Sequence, residues 1–260
     1  MALIGTLTSG ISALKTFSKG LEVIGNNIAN VNTTGYKSSS ASFADTFSNT
    51  LRGGSNPVQV GTGVQVAGIS TSFTQGSLSS TGKPSDLSVS GNGYFVVQDA
   101  NGANYATRDG NFTWTETGDL VNSQGYKVLD DAGVAINVAT VTTAASITVA
   151  DDGSVRAFAA DGTSTSTQKV GLLKITDETK LLRRGGNLFD FANTGSVVGD
   201  IDTAVTNGLG KIQSGALELS NVDLTEQFSD LITTQRSFQA GSRLITVSDS
   251  VLEDIVNLKR

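Results

Sequence analysis

The chain has 260 residues, 38% of them hydrophobic, with 18 basic and 24 acidic side chains and a net charge of −6. That is enough apolar material for one large domain or two small ones, and it offers no basic surface for nucleic acid or an anionic membrane. Cys and His are both absent, which excludes disulfides, thiolate and imidazole metal sites, and every nucleophilic scheme that runs through histidine.

An enzyme would be left with carboxylates, Lys or Tyr, and no constellation of these stands out. No cofactor, metal or small-molecule substrate is expected. No stretch reaches the roughly 18 consecutive apolar residues of a membrane span. The first fifteen residues lack the basic start and unbroken apolar run of a secretory signal.

In the first segment, residues 1–36, Leu7, Leu14, Leu21 and Ile28 fall seven apart, with Leu3, Phe17, Ile24 and Val31 as a companion row. This interleaved spacing predicts a helix with an a/d seam. Only Lys15, Lys19 and Glu22 are charged before Tyr36, so the helix is expected to be surrounded by protein. Gly5 to Ser12 has the glycine spacing of a phosphate-binding loop but lacks its Lys and lies inside the helix. Asn32-Thr33-Thr34-Gly35 predicts a helix stop, with Gly35 as the left-handed cap. Asn26, Asn27 and Asn30 precede that stop. A buried amide selects register because it must find a matching group, and these three are expected to find theirs on neighbouring chains.

Residues 37–70 are Gly-rich, contain Pro57, and are expected as an extended connector carrying at most a short strand. From about Thr71 to Ala216 short alternating runs are broken by Asn92-Gly93, Asn101-Gly102, Asp109-Gly110, Gly118-Asp119, Gln124-Gly125, Asp152-Gly153 and Asp161-Gly162. Such pairs tolerate positive φ and mark hairpins. The expected product is an antiparallel sheet or small barrel of about 8–12 strands over 71–216, with 131–205 as a possible separate lobe. Gly91-Asn92-Gly93 starts like a dinucleotide fingerprint but has Val96 where the third Gly belongs. Asp130-Asp131 and Asp151-Asp152 read as turns and not as a Ca²⁺ loop. Arg108-Asp109-Gly110 reads as a turn, and Trp114 as core or sheet-face packing.

Residues 217–260 repeat the heptad pattern with Leu224, Leu231, Phe238, Ile245 and Leu252, widened by Phe228, Leu244, Val251, Ile255 and Leu258. Ser220 or Asn221 can cap this helix, Asp223 and Glu226 put negative charge near its start, and Lys259 and Arg260 close it. The expected class is α+β: long N- and C-terminal helices pairing in a coiled-coil-like core domain around an antiparallel β-rich middle. The assembly interface is expected at Leu7, Leu14, Leu21, Asn26, Asn27, Ile28, Asn30, Leu224, Leu231, Phe238, Ile245 and Leu252. Without partners such helices are expected to be disordered in the monomer.

Three stretches, in order, carry a resemblance. Gly25 to Lys37, GNNIANVNTTGYK, has an Asn-Asn-apolar-Ala-Asn core followed by Thr-x-Gly-aromatic-basic, at Asn26, Asn27, Ile28, Ala29, Asn30, Thr33, Gly35, Tyr36 and Lys37. FTQGSLSSTGKPSDLSVSGNGYFVV with YATRDGNFTWTETGDLVNSQGYKVL, and GALELSNVDLTEQFSDLITTQRSFQAGSRLITVSDSVLEDIVNLKR, complete the set. Over residues 1–130 and 208–260 the chain resembles the axial proteins of the bacterial flagellum, the hook and rod family.

That resemblance implies a structural subunit that polymerises into a torque-transmitting helical tube. Both terminal helices would form the tube's core, the C-terminal one toward the channel, with the β domain outside. It also implies passage through the flagellar type III export apparatus without a cleaved signal. The neighbours would be copies of itself, rod proteins, the hook cap and the hook–filament junction, in the hook or basal body. VGTGVQVAGISTSFTQGS and the C-terminal ending read most like the hook subunit, the main expectation. The chain's length is that of a distal rod subunit, the alternative. Two readings from other classes are a secreted adhesin-type β module on a coiled-coil stalk, which would form a closed oligomer, and a carboxylate glycosidase, for which no acid pair can be named.

Overall fold

The computed structural model describes residues 2–52, 58–138, 144–159 and 164–258. Pro57, the Asp161-Gly162 turn and the Lys259-Arg260 ending lie outside the described residues, as do the side chains of Leu3 and Leu258. Among the described residues no helix is long and apolar enough to cross a membrane. The class is α+β, with a helix toward each end and a β-rich middle. The chain divides into two compact units, one of residues 1–30, 38–72 and 222–260, the other of residues 31–37 and 73–221.

The first unit holds α1 (Ala2–Ala29), β1 (Ser39–Asp45), β2 (Ser48–Arg52), β3 (Val58–Gly61), β4 (Val64–Thr71) and α2 (Leu224–Leu258). The helices run antiparallel. Thr6 Oγ1 lies 3.4 Å from Ser248 Oγ, and Asn27 Nδ2 donates to Gln227 Oε1 at 2.9 Å. Glycines let them approach: a side-chain carbon at Gly10 would come within 3.0 Å of Ile245 Cγ1, and one at Gly241 within 3.4 Å of Leu14 Cδ2. Two heptad residues, Leu14 and Ile245, therefore seat on glycines of the opposite helix. The fully buried positions are small or polar (Gly10, Thr16, Gly20, Asn27 and Ser248), while the heptad leucines remain half-buried. Each helix thus has a partner within its own chain, as the expected pairing of the two ends requires.

Two further corrections concern local signals. Asp223 caps α2, its Oδ1 accepting the Thr225 N–H at 2.8 Å and the Glu226 N–H at 3.3 Å, in place of Ser220 or Asn221. The described residues between 39 and 71 form paired strands and not a connector: β1 pairs β4 and β2 pairs β3, both antiparallel. The repeated Val-Gln-Val at 58–60 and 64–66 supplies the period-2 pattern that the glycines around it obscure. Phe43 of β1 meets Phe17 of α1 edge to face, with ring centroids 6.1 Å apart.

The second unit runs through β5 (Leu78–Ser80), β6 (Leu87–Ser90), β7 (Tyr94–Gln98), β8 (Asn104–Thr107), β9 (Phe112–Trp114), β10 (Leu120–Asn122), β11 (Lys127–Val128), β12 (Ala144–Val149), β13 (Ser154–Ala159), β14 (Ser164–Lys169), β15 (Gly171–Leu173), β16 (Leu182–Gly185), β17 (Leu188–Asp190), β18 (Ile201–Thr203), β19 (Lys211–Ser214) and β20 (Ala216–Glu218). The main sheet has the order β16-β17-β8-β7-β11-β10-β9, with β15 joining β7 to β18. Strand β7 is buried on both faces. Phe95 and Val97 point into a core with Leu87, Phe112, Leu120, Leu172 and Ile212; Tyr94 and Val96 enter a second with Leu129, Leu173, Phe189 and Ile201. Strict alternation between two cores is what a central strand's pleat imposes.

Within residues 131–205, β12, β13 and β14 form their own three-stranded sheet, yet Val149, Val155 and Ala157 share the first core, and β15 to β18 join the main sheet. Trp114 packs on the first core from its edge. Gly110 is not a left-handed turn residue, as Asp109-Gly110 led us to expect; a side chain there would run into the Leu87 carbonyl oxygen.

Candidate assembly site

On α2, Leu224, Phe228, Ile232, Leu244, Val247, Val251, Ile255 and Val256 are each at least 40% exposed. At about 100° per residue they fall into two patches: Leu224, Phe228 and Ile232 near the start of α2, and Leu244, Val247, Val251 and Ile255 on another face nearer its end, where Leu244 also reaches Gly10 of α1. Leu231, Phe238, Ile245 and Leu252 are half-buried, as are Leu7, Leu14, Leu21 and Ile28, with Ile245 seated against Gly10 and Leu14 against Gly241. Of the twelve expected interface residues, only Leu224 belongs to these exposed patches. Phe228, Leu244, Val251 and Ile255 were read from the sequence as widening the heptad row, whereas Ile232, Val247 and Val256 were not singled out.

The ribbon adds Phe47 at the turn between β1 and β2, 90% exposed, with Val60 and Ile69 more than half exposed. Nothing in the sequence pass singled these out. Exposed apolar patches of this kind mark interaction surfaces.

The asparagines behave differently from one another. Asn27, 1% exposed, is satisfied inside its own unit. Its Nδ2 donates to the Ser39 carbonyl at 2.7 Å and to Gln227, and its Oδ1 accepts the Ser39 N–H at 3.0 Å. The carboxamide thus pairs with Ser39 as another strand's peptide would, tying α1, β1 and α2 into one register. Asn30 Nδ2 donates to the Asn26 carbonyl and Oδ1, at 2.9 and 2.7 Å, closing the last turn of α1. Asn26 and Ala29 are exposed, while Ile28 and Thr33 are half-buried. The placement of these amides on neighbouring chains thus gives way, for Asn27, to an internal lock: its side chain has filled its bonding capacity at home.

The end of the signature belongs to the second unit and is buried there. Gly35, with φ +65°, stands six residues beyond α1 and does not cap it. A side-chain carbon on it would lie 2.7 Å from the Arg108 carbonyl carbon and 2.6 Å from the Asp109 nitrogen. The Gly35 N–H donates to the Glu218 carbonyl at 2.8 Å, and Thr34 Oγ1 donates to Asp109 Oδ1 at 2.7 Å. Burial pushes the Asp109 carboxyl above the usual range, opposed by that hydroxyl and the Asn111 N–H.

Lys37, 1% exposed, donates through Nζ to Glu218 Oε1 at 2.5 Å and to the Thr74 carbonyl at 2.9 Å. Burial lowers its pKa from the ordinary value, and Glu218 works against that. Glu218 also accepts the Gly76 N–H at 3.0 Å and faces Arg108 Nη1 at 3.4 Å. The Arg108 guanidinium lies 4.8 Å from the Tyr94 ring centre, and the Tyr94 hydroxyl donates to Glu178 Oε1 at 2.8 Å. Arg183 stacks over Tyr36 at 5.1 Å and donates to the Lys37 carbonyl.

Glu218, Arg108, Arg183, Tyr94 and Glu178 were not anticipated. One signal was available: in Ala216-Leu217-Glu218 the acid falls on the inward phase of the alternation, beside buried Ala216. The cluster's charged groups are buried and paired with one another, and it works as an anchor for the signature. Among the described residues no group of acids could hold a metal ion.

With this geometry in view, the comparisons fall on the same three stretches. The family described as "Flagella basal body rod protein" matches residues 7–37, "Flagellar hook protein FlgE/F/G D1 domain" matches 88–157, and "Flagellar basal body rod FlgEFG protein C-terminal" matches 213–258. The chain is 39% identical to the flagellar basal-body rod protein FlgG of Bacillus subtilis, over 99% of this chain and 100% of that one. It is 33% identical to FlgG of Agrobacterium fabrum, over 96% and 97%. It is 28% identical to the flagellar hook-basal body complex protein FlhP of Bacillus subtilis, over 96% and 97%.

Proposed function

Because the chain belongs to the flagellar hook and basal-body rod protein family, we propose that it is a structural subunit of the distal rod, in place of the hook subunit that the sequence favoured. End-to-end similarity to rod proteins named FlgG supports this choice. The C-terminal ending that suggested a hook falls under one description for FlgE, FlgF and FlgG alike, so it does not separate the two.

The single observation that carries the mechanism is the exposed apolar surface of α2, with Phe228 and Ile232 toward one end and Val247, Val251 and Ile255 toward the other. Fully burying one such side chain is worth roughly 1.5–3 kcal/mol, and this surface has part of that still to gain. Copies of the chain, and at the ends of the tube neighbouring axial proteins, supply the cover. In that packed core the two helices extend into the coiled-coil-like arrangement that the heptads call for. Contacts between different faces of like subunits propagate as an open helix, and a tube whose helices are clamped at both faces transmits torque.

Two experiments test this. Phe228→Asp with Val247→Asp should leave the monomer's circular dichroism unchanged and abolish assembly; normal polymers from the pair would refute that surface's role. Leu231→Asp is a poorer probe, since Leu231 is half-buried. An epitope-tagged copy should lie on the straight shaft within the envelope. Label on the curved external segment would overturn the rod assignment and leave the polymer reading intact.

A further inference from the structure

Asparagine followed by glycine is chemically labile, because glycine has no side chain to keep its backbone nitrogen away from the preceding carboxamide carbon. The chain has such steps at Asn92-Gly93, Asn101-Gly102 and Asn207-Gly208. Local sequence makes all three similar; the fold separates them.

Gly93 is buried, with φ +129°, and a carbon placed on it would lie 3.0 Å from Leu209 and 3.5 Å from Leu172, both core residues. The Asn92 carbonyl accepts the Gly210 N–H at 2.7 Å. Moving this peptide means opening the core. At the third step, the Asn207 carboxamide donates to Asp202 Oδ2 and its carbonyl accepts Lys174 Nζ at 2.8 Å. Buried Leu209 pins the same turn, its N–H donating to the Thr206 carbonyl at 2.8 Å.

Asn101 sits at the tip of the β7–β8 hairpin, where residues 100–103 are all exposed and nothing lies within 4 Å of the Gly102 side-chain direction. One backbone bond, Gly102 N–H to the Asp99 carbonyl at 2.9 Å, and one side-chain bond, Asn101 Nδ2 to Asp99 Oδ2 at 2.9 Å, hold the reacting groups. Both face water, so breaking them costs little.

We infer that Asn101 is the site at which the folded protein deamidates. The Gly102 nitrogen gives its proton to solvent and attacks the Asn101 Cγ. A carbon–nitrogen bond forms, the carboxamide's own carbon–nitrogen bond breaks, and ammonia leaves a five-membered imide. Water then adds to either imide carbonyl and reopens the ring as aspartate or isoaspartate. Overall an amide and water become a carboxylate and ammonia. The new carboxylate stands beside Asp99, and the isoaspartyl product lengthens the turn by one backbone carbon. The hairpin closure from Asp99 N–H to the Ala103 carbonyl, 2.8 Å, is the bond that product strains.

The test is peptide mapping by mass spectrometry, with isoaspartate detected enzymatically, after prolonged incubation of the full chain at mildly alkaline pH. A parallel sample is kept unfolded in urea. In the folded protein Asn101 should convert at least about tenfold faster than Asn92, the ratio reflecting the opening each site requires. In urea the three sites should draw within a few-fold of one another. Conversion led by Asn92 or Asn207 in the folded chain would overturn the inference. So would the same rank order in urea, or an inert Asn101 in a folded chain whose unfolded form reacts.

Discussion

Replacing Glu218 with Gln keeps the shape of the side chain and an oxygen for the Gly76 N–H, but removes the carboxylate that pairs with two buried cations, Lys37 and Arg108. Lys37 is 1% exposed and Arg108 is 4% exposed, so neither can turn to water. Removing one partner of a buried ion pair costs roughly 3–5 kcal/mol, because the other charge stays desolvated. For a unit of this size that lowers the melting temperature by about 6–20 °C.

Trp114, the only tryptophan, lies in the same unit against its core, so its fluorescence in urea reads the loss directly. Lys37→Met should cost less, since Glu218 then keeps Arg108 and the Gly76 N–H. The pH dependence gives a second reading. Burial already holds the Lys37 pKa below 10.5, and without Glu218 it falls further. A lysine with a depressed folded pKa binds fewer protons folded than unfolded between that pKa and 10.5, so stability rises with pH across the window. The Glu218→Gln deficit should therefore shrink as the solution is made alkaline. A midpoint within about 0.5 kcal/mol of the parent, or a Lys37→Met variant worse than Glu218→Gln, would refute the reasoning.

Three further outcomes follow from other positions. Asn27→Leu leaves the Ser39 N–H and carbonyl and the Gln227 oxygen without their partner, and should cost the helical unit about 2–4 kcal/mol; circular dichroism during urea unfolding measures it, and a loss below about 0.5 kcal/mol would remove Asn27 as a register lock. Asp109→Asn should raise the urea midpoint at neutral pH, because the neutral side chain keeps its acceptor oxygen without a buried charge. The raised carboxyl pKa means that this advantage fades as pH falls from that raised folded value to 3.8 and is gone below 3.8, where the folded and unfolded acids are both protonated; an advantage that persists there contradicts the burial argument. Gly110→Ala drives a methyl group into the Leu87 carbonyl and should cost well over 2 kcal/mol, whereas Gly82→Ala, at φ +71° in open space, should cost about 1 kcal/mol; equal losses would place the cost in the backbone alone.

The two helices were legible because their signal is repetitive and local: apolar residues every seven, few charges, a stop after Asn30. What the heptads could not reveal is which apolar residues are covered within the chain, since half-buried Leu231 and exposed Phe228 are equally hydrophobic on paper. The strands at 58–61 and 64–71 were hidden by glycines that read as a connector, although Val-Gln-Val occurs twice. Asp223 was assigned a charge role when its side chain is the cap, a difference of two or three residues that propensity alone cannot resolve. The anchor at Lys37 was the least accessible feature. Its partner Glu218 is 181 positions away, and no spacing rule joins residues that far apart. The amides were read correctly as register devices and assigned to the wrong molecule in the case of Asn27, because an unsatisfied amide in a sequence carries no address.

The Gly35–Glu218 pairing also bears on how the helical unit closes. Asn27 and Gln227 are separated by 200 positions, a large ring for a free chain to shut. Once Gly35 is bonded to Glu218, only the short tethers on either side of that bond remain to be ordered. By loop-closure entropy the saving is about 2 kcal/mol. The Lys37 ammonium, locked on the Glu218 carboxylate next door, works as the clasp of that ring. A chain whose β-rich unit forms first would hold the two helices at high effective concentration before they pair.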